Sequence, residues 1–131
     1  MEFAVKQTFG TGGPYPYSPA VRAGDFVFIS GQVPTGPDGS LVAGGIEAQT
    51  DAALKNLGSA LKLAGCSLED VVKVTAFLSD PDSFNSFNRV YATHFKDPPP
   101  ARSTVCTSLV IDALVELDAI AYFPLKTSQQ P

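Results

Sequence analysis

Tryptophan is absent from this chain, histidine and methionine occur once each, and there are only two cysteines and three arginines. Each shortage removes a class of function. Cys66 and Cys106 make neither a disulfide framework nor a metal knuckle. With His94 as the single histidine, a zinc site would have to gather carboxylates from scattered positions, so no metal is expected. A Cys106–His94 nucleophile pair is conceivable, but two buried structural side chains are the favoured reading. Arg22, Arg89 and Arg102 lie far apart in sequence. Nine Lys+Arg against thirteen Asp+Glu leave a net charge of −4. A phosphate-neutralising protein needs a basic stripe, so nucleic acid is not an expected partner. No apolar run approaches the roughly 20 residues of a spanning helix, and no membrane partner is expected. The opening MEFAVKQTF reads as neither signal nor transit peptide, which places the protein in the cytoplasm as an expectation.

What is present is apolar. Hydrophobic residues are 44% and charged residues 17%, which excludes disorder. The 131 residues make one domain, residues 1–131, since lone domains cluster at roughly 100–150 residues. The low charge points to surface covered by a partner subunit.

The spacing predicts a short strand at Phe3–Thr8 and an irregular segment, GTGGPYPYSPA, over Gly10–Ala20. Ala20–Arg22 and Phe26–Ser30 flank a tight turn. A helix is predicted over Ile46–Ala64, with Ile46, Ala53, Leu54, Leu57, Leu61 and Ala64 on one stripe and Gly65 as its stop. Val71–Ser79 alternates as a strand, with Val72, Val74, Ala76 and Leu78 against Lys73, Thr75 and Phe77. A second helix runs from about Asp82 to Phe95, with Phe84, Phe87, Val90 or Tyr91, and Phe95 on one face, and Pro98–Pro100 forbid its continuation. Strands at Ser103–Leu109 and Leu114–Phe123 finish the chain. This order predicts a two-layer α+β domain: a mixed sheet of about six strands, with both helices on one face. The other face is left open and largely apolar, which asks for another subunit.

Four places could carry chemistry. Arg102 follows a stiff proline run at the entry to a strand, where its paired donors would suit a carboxylate. An ordinary surface arginine is the plainer alternative. Glu116 and Asp118 share one face of an otherwise apolar strand. One or both acids lie at an edge or pair with a lysine such as Lys73, or they are put to use as a base or water-positioning group. Gly31, in Ser30-Gly31-Gln32, permits close backbone approach, and Tyr15 and Tyr17 offer aromatic walls. Asn88 is a polar side chain on a crowded helix, with a helix-surface amide as the plainer alternative.

These residues sit in motifs that resemble the reactive intermediate deaminase (RidA/YjgF) family. The motifs are PYS at Pro16–Ser18, FISGQVP at Phe28–Pro34, NL at Asn56–Leu57, VVKVTAFLSD at Val71–Asp80, FNSFNRVY at Phe84–Tyr91, PARST at Pro100–Thr104 and VELDAIA at Val115–Ala121. The resemblance spans nearly the whole chain. It implies a chorismate-mutase-like fold and a homotrimer whose sheets meet in a central barrel, with clefts between subunits. It implies cofactor-independent hydrolysis of 2-imino acids and their enamine tautomers, such as 2-iminobutanoate and 2-iminopropanoate, to 2-oxo acids and ammonia. By the same resemblance Arg102 holds the substrate carboxylate and Glu116 positions the attacking water. Tyr17, Ser30, Gly31, Asn88 and Thr104 line the cleft. Pro19 stands where the family usually has glutamine and Tyr15-Pro16 is additional, both of which alter the distal wall. Three other classes compete: a deaminase of a larger enamine such as 2-aminomuconate, a non-enzymatic module binding 2-oxo acids, and an endoribonuclease. The charge and the dispersed arginines count against the last.

Overall fold

The structure is a computed structural model that describes residues 6–125. Its strands are β1 (Gln7–Phe9), β2 (Ala20–Ala23), β3 (Phe26–Gln32), β4 (Val71–Leu78), β5 (Ala101–Cys106) and β6 (Val115–Tyr122). Its helices are α1 (Gly45–Leu63), between β3 and β4, and α2 (Phe84–His94), between β4 and β5. The strands form one sheet in the order β1-β2-β3-β6-β4-β5. β4 and β5 are parallel, and the other neighbours are antiparallel. A parallel pair needs a long crossover, and α2 supplies it. The fold is therefore the expected α+β arrangement with a mixed six-stranded sheet. Among the described residues no helix is long and apolar enough to cross a membrane.

α1 buries Ala53, Leu54, Leu57, Ala60 and Leu61, the three-and-four spacing of one helical face. Its end is set by Gly65 at φ +83, a conformation that favours glycine. The Gly65 amide donates to the Lys62 carbonyl and the Cys66 amide to the Leu61 carbonyl, both at 3.0 Å. These two bonds satisfy carbonyls that the helix end would leave open. Before α2, the Asp80 carboxylate accepts from the Asp82 amide at 2.8 Å and seeds a 3-10 turn, so the helix proper starts at Phe84. α2 buries Phe87 and Tyr91. Val115, Leu117, Ala119 and Ala121 of β6 lie in the same core.

Some expectations shift. The first strand occupies Gln7–Phe9, and the part expected at residues 3–5 lies outside the described residues. β5 starts at Ala101, directly behind the proline run, and ends at Cys106 because β4, its pairing partner, ends at Leu78. Val72 is exposed rather than buried with Val74. An irregularity between Val71 and Lys73 breaks the alternation that strand periodicity assumes. Cys66 is buried, but Cys106, expected as a buried structural residue, is exposed at the end of the edge strand, and His94, expected likewise, is partly buried.

The sheet face away from the helices carries Phe26, Phe28 and Tyr122, each more than 40% exposed at 42%, 44% and 48%. Phe26 and Tyr122 touch, ring centroids 5.4 Å apart. Among the described residues no element covers this face.

Candidate active site

The first group of site residues lies where β5 meets α2. Arg102 pairs in register with Val74, a core residue, so its side chain emerges on the helix side of the sheet. There its Nη2 donates to the Asn88 Oδ1 at 2.8 Å. The guanidinium carbon stands 4.7 Å from the Tyr91 ring centroid, 5.2 Å from that of Phe87 and 5.8 Å from that of Phe84. Three aromatic faces and one amide oxygen hold the cation, and the remaining donors stay available to an anion. Arg102 is not a waving surface arginine, and Asn88 is not an idle helix amide. Thr104 faces the same side two residues on, in register with the buried Ala76.

Tyr91, Phe87 and Phe84 read from sequence only as the apolar face of a helix. Their second role, as a bed for a cation, is visible once the register of β5 is known. The Tyr91 side chain is 6% exposed. Its enclosed hydroxyl finds no partner of proper hydrogen-bond geometry, although the Arg102 guanidinium stands beside it. Burial pushes the Tyr91 phenol up from its ordinary pKa, so it stays neutral next to the cation.

The second group lies on the uncovered face, on β3 and β6. Glu116 pairs with Phe77 of β4, and Asp118 pairs with Thr75. Burial, and then the Asp118 charge, raise the Glu116 carboxyl above its ordinary pKa. Asp118 is also raised by burial, but hydrogen bonding to Thr75 and the Lys73 charge oppose the rise. Lys73 itself donates to the Ser103 Oγ at 3.1 Å. The lysine foreseen as a partner for one of these acids acts on Asp118 through its charge alone, and no cation is among the groups that shift Glu116. Gly31 stands against the Glu116 side chain. The Ser30 hydroxyl donates to the Ser18 carbonyl at 2.6 Å, and the Ser30 amide to the Pro19 carbonyl at 3.0 Å. Ser30 therefore staples the Pro16–Ser18 motif to β3. Tyr17, within that motif, projects outward and is 53% exposed.

Arg102 and Glu116 are not brought together in one chain. They occupy opposite faces of the sheet, on strands separated by β4. The concavities of the single chain also lie elsewhere. One of about 810 Å³ runs between α1 and the segment after α2, past Lys62, Cys66, Glu69, His94 and Lys96. Another of about 550 Å³ lies beside Thr35, Pro37 and Asn56. His94 is engaged by Asp51, Nε2 to Oδ1 2.8 Å, and ties α2 to α1. Hydrogen bonds from Lys55, then His94, hold the Asp51 carboxyl below its ordinary pKa. His94 is a structural link here, and Cys106 has no part in it.

A sequence model of the endoribonuclease L-PSP family matches residues 13–123. The chain belongs to this family, the RidA/YjgF family. It is 48% identical over 109 residues to a RutC family protein of Pyrococcus horikoshii, which covers 82% of this chain and 86% of the relative. It is 44% identical over 108 residues to the 2-iminobutanoate/2-iminopropanoate deaminase of mouse, covering 81% and 80%. A crystal structure of RidA from an Antarctic Psychrobacter superimposes with a TM-score of 0.83 at 34% identity, covering 89% of this chain and 99% of that one. The RidA fold therefore accounts for the sheet order and for both helices. The names within the family divide between deaminase, RutC and endoribonuclease, so membership alone leaves the substrate open.

Proposed function

We propose that the chain is a cofactor-independent hydrolase of 2-imino acids and their enamine tautomers, with 2-iminobutanoate and 2-iminopropanoate as substrates. The observation that carries this reading is the pair of groups the reaction needs. One is a guanidinium held rigid by Asn88 and three rings. The other is a carboxyl group held above its ordinary pKa. The activity for which the mouse relative is named supports it.

The chemistry follows from these groups. Arg102 takes the substrate carboxylate through the donors that Asn88 leaves unused, which orients C2. C2 of a protonated imine is electrophilic. Glu116 takes a proton from a water molecule as the water oxygen bonds to C2. A carboxyl pKa raised toward working pH suits that task. The product is a carbinolamine. The proton returns to its nitrogen. As the C–N bond breaks, Glu116 takes the hydroxyl proton, the C2 oxygen becomes the carbonyl of the 2-oxo acid, and the leaving ammonia takes that proton away as ammonium. One water is consumed and no electrons are transferred.

A small molecule cannot reach across a sheet to touch both groups of one chain. Two copies supply them when the β5 edge of one chain docks on the uncovered face of the next. That face is apolar enough to want a cover, and a head-to-tail contact of this kind makes a ring when its rotation closes. We propose the ring of three that the family resemblance implies, with Arg102, Asn88 and Thr104 from one chain and Glu116, Gly31, Ser30 and Tyr17 from its neighbour.

The test is ammonia release from 2-iminobutanoate, 2-iminopropanoate and 2-aminomuconate, each generated freshly in the presence of the protein. The two small imines are expected to hydrolyse faster than in buffer, with 2-aminomuconate little changed. Acceleration of 2-aminomuconate alone would move the substrate to the larger enamine. RNA cleavage with no effect on any imine would replace the reading with an endoribonuclease.

A further inference from the structure

Gly31 is a glycine without a backbone reason. Its φ lies outside the left-handed region that Gly10, Gly24 and Gly65 occupy. The explanation is on the neighbouring strand. Ile29 pairs with Ala119 and Gln32 with Leu117, so Ser30 and Gly31 together oppose the single residue Asp118. A bulge of this kind turns a residue away from its regular direction and is a common way to re-aim one beside a functional site. Here it aims the Gly31 Cα position at Glu116. A methyl group on Gly31 would collide with the Glu116 Oε2 and lie 3.0 Å from its Cδ. The space that a side chain would take is filled by the carboxyl group.

We propose that Gly31 is a positioning residue for Glu116, and that its missing side chain is the seat that fixes the carboxyl group over the β3 bulge. This rests on Glu116 being the water-activating acid, and it goes further in naming what sets that acid's place. The charged groups around the seat are few. On β6 the neighbour is Asp118, on β4 the residue opposite is the uncharged Phe77 while the Lys73 charge acts on Asp118, and Ser30, Gly31 and Gln32 of β3 carry no charge.

Gly31→Ala is the direct probe. The atoms displaced are the far end of a flexible side chain, so the variant is expected to fold with a melting temperature close to wild type. The Glu116 carboxyl must swing out of its seat. An ångström-scale misplacement of a reacting group costs on the order of 10²-fold in rate. The kcat is expected to fall by about that factor, while 2-oxobutanoate still binds through Arg102. In a Glu116→Ala background, adding Gly31→Ala is expected to cost nothing further. A second readout does not depend on catalysis. The Glu116 side-chain carbon, followed by NMR across pH, is expected to titrate at lower pH in Gly31→Ala than in wild type, because the carboxyl leaves its buried seat. An unchanged titration would overturn the proposal, as would an equal loss of kcat with and without the Glu116 carboxyl. If the wild-type chain hydrolyses no imine, the titration alone still decides the role of Gly31.

Discussion

Arg102→Ala is expected to lower kcat/KM for 2-iminobutanoate by roughly 10³-fold or more, because it removes the positive charge fixed by Asn88 and leaves the substrate carboxylate unpaired. Arg102→Lys is expected to recover little. A lysine ammonium cannot donate to Asn88 and grip a carboxylate as a planar fork does, nor can it stack on Tyr91 and Phe87 in the same way. The check is steady-state kinetics on both variants, with 2-oxobutanoate affinity measured alongside. Wild-type kcat/KM in the lysine variant would remove the carboxylate clamp. Both variants should remain folded, since the core is built by α1, Phe87 and β6 without the guanidinium.

Glu116→Gln is expected to lower kcat by roughly 10²-fold or more while 2-oxobutanoate binding persists, because an amide can hold a water but cannot take its proton. The pH dependence has a definite sign. The Glu116 carboxyl is raised by burial and by Asp118, so kcat/KM of the wild type should fall as pH drops through that raised value. Stability runs the other way. A carboxyl whose folded pKa exceeds its unfolded one favours the folded state below the unfolded value, and that contribution is lost as pH rises through the folded value. Ionised Glu116 is therefore a burden on the fold, and Glu116→Gln is expected to keep or raise the melting temperature. A fall in melting temperature with unchanged turnover per folded site would make Glu116 a structural acid.

The sequence carried the helices well because each helix is a local pattern. The α1 stripe from Ala53 to Leu61 and the stop at Gly65 need no knowledge of any partner. It carried β6 equally well, since Val115, Leu117, Ala119 and Ala121 alternate without interruption. Register was less legible, because it resides in pairing between strands. The irregularity that exposes Val72 and the bulge that aims Gly31 at Glu116 leave no mark on the residues of one strand alone. The site divides in the same way. Arg102, Asn88 and Glu116 stand out as polar residues in apolar surroundings and fit the family motifs. The aromatic bed of Phe84, Phe87 and Tyr91 was hidden, because rings at helical spacing look like core whether or not a cation lies on them. The separation of Arg102 and Glu116 onto opposite faces needs the whole sheet order before it can be seen.

That separation gives the most direct test of the whole reading. Arg102→Ala and Glu116→Gln chains, each inactive alone, are unfolded, mixed in equal amounts, refolded together and assayed for 2-iminobutanoate hydrolysis. If each site takes Arg102 from one chain and Glu116 from its neighbour, random mixing leaves about one quarter of the sites intact, and about that fraction of wild-type activity should return. A mixture no more active than the two inactive variants would contradict a site shared between chains, and with it the proposed pairing of Arg102 and Glu116.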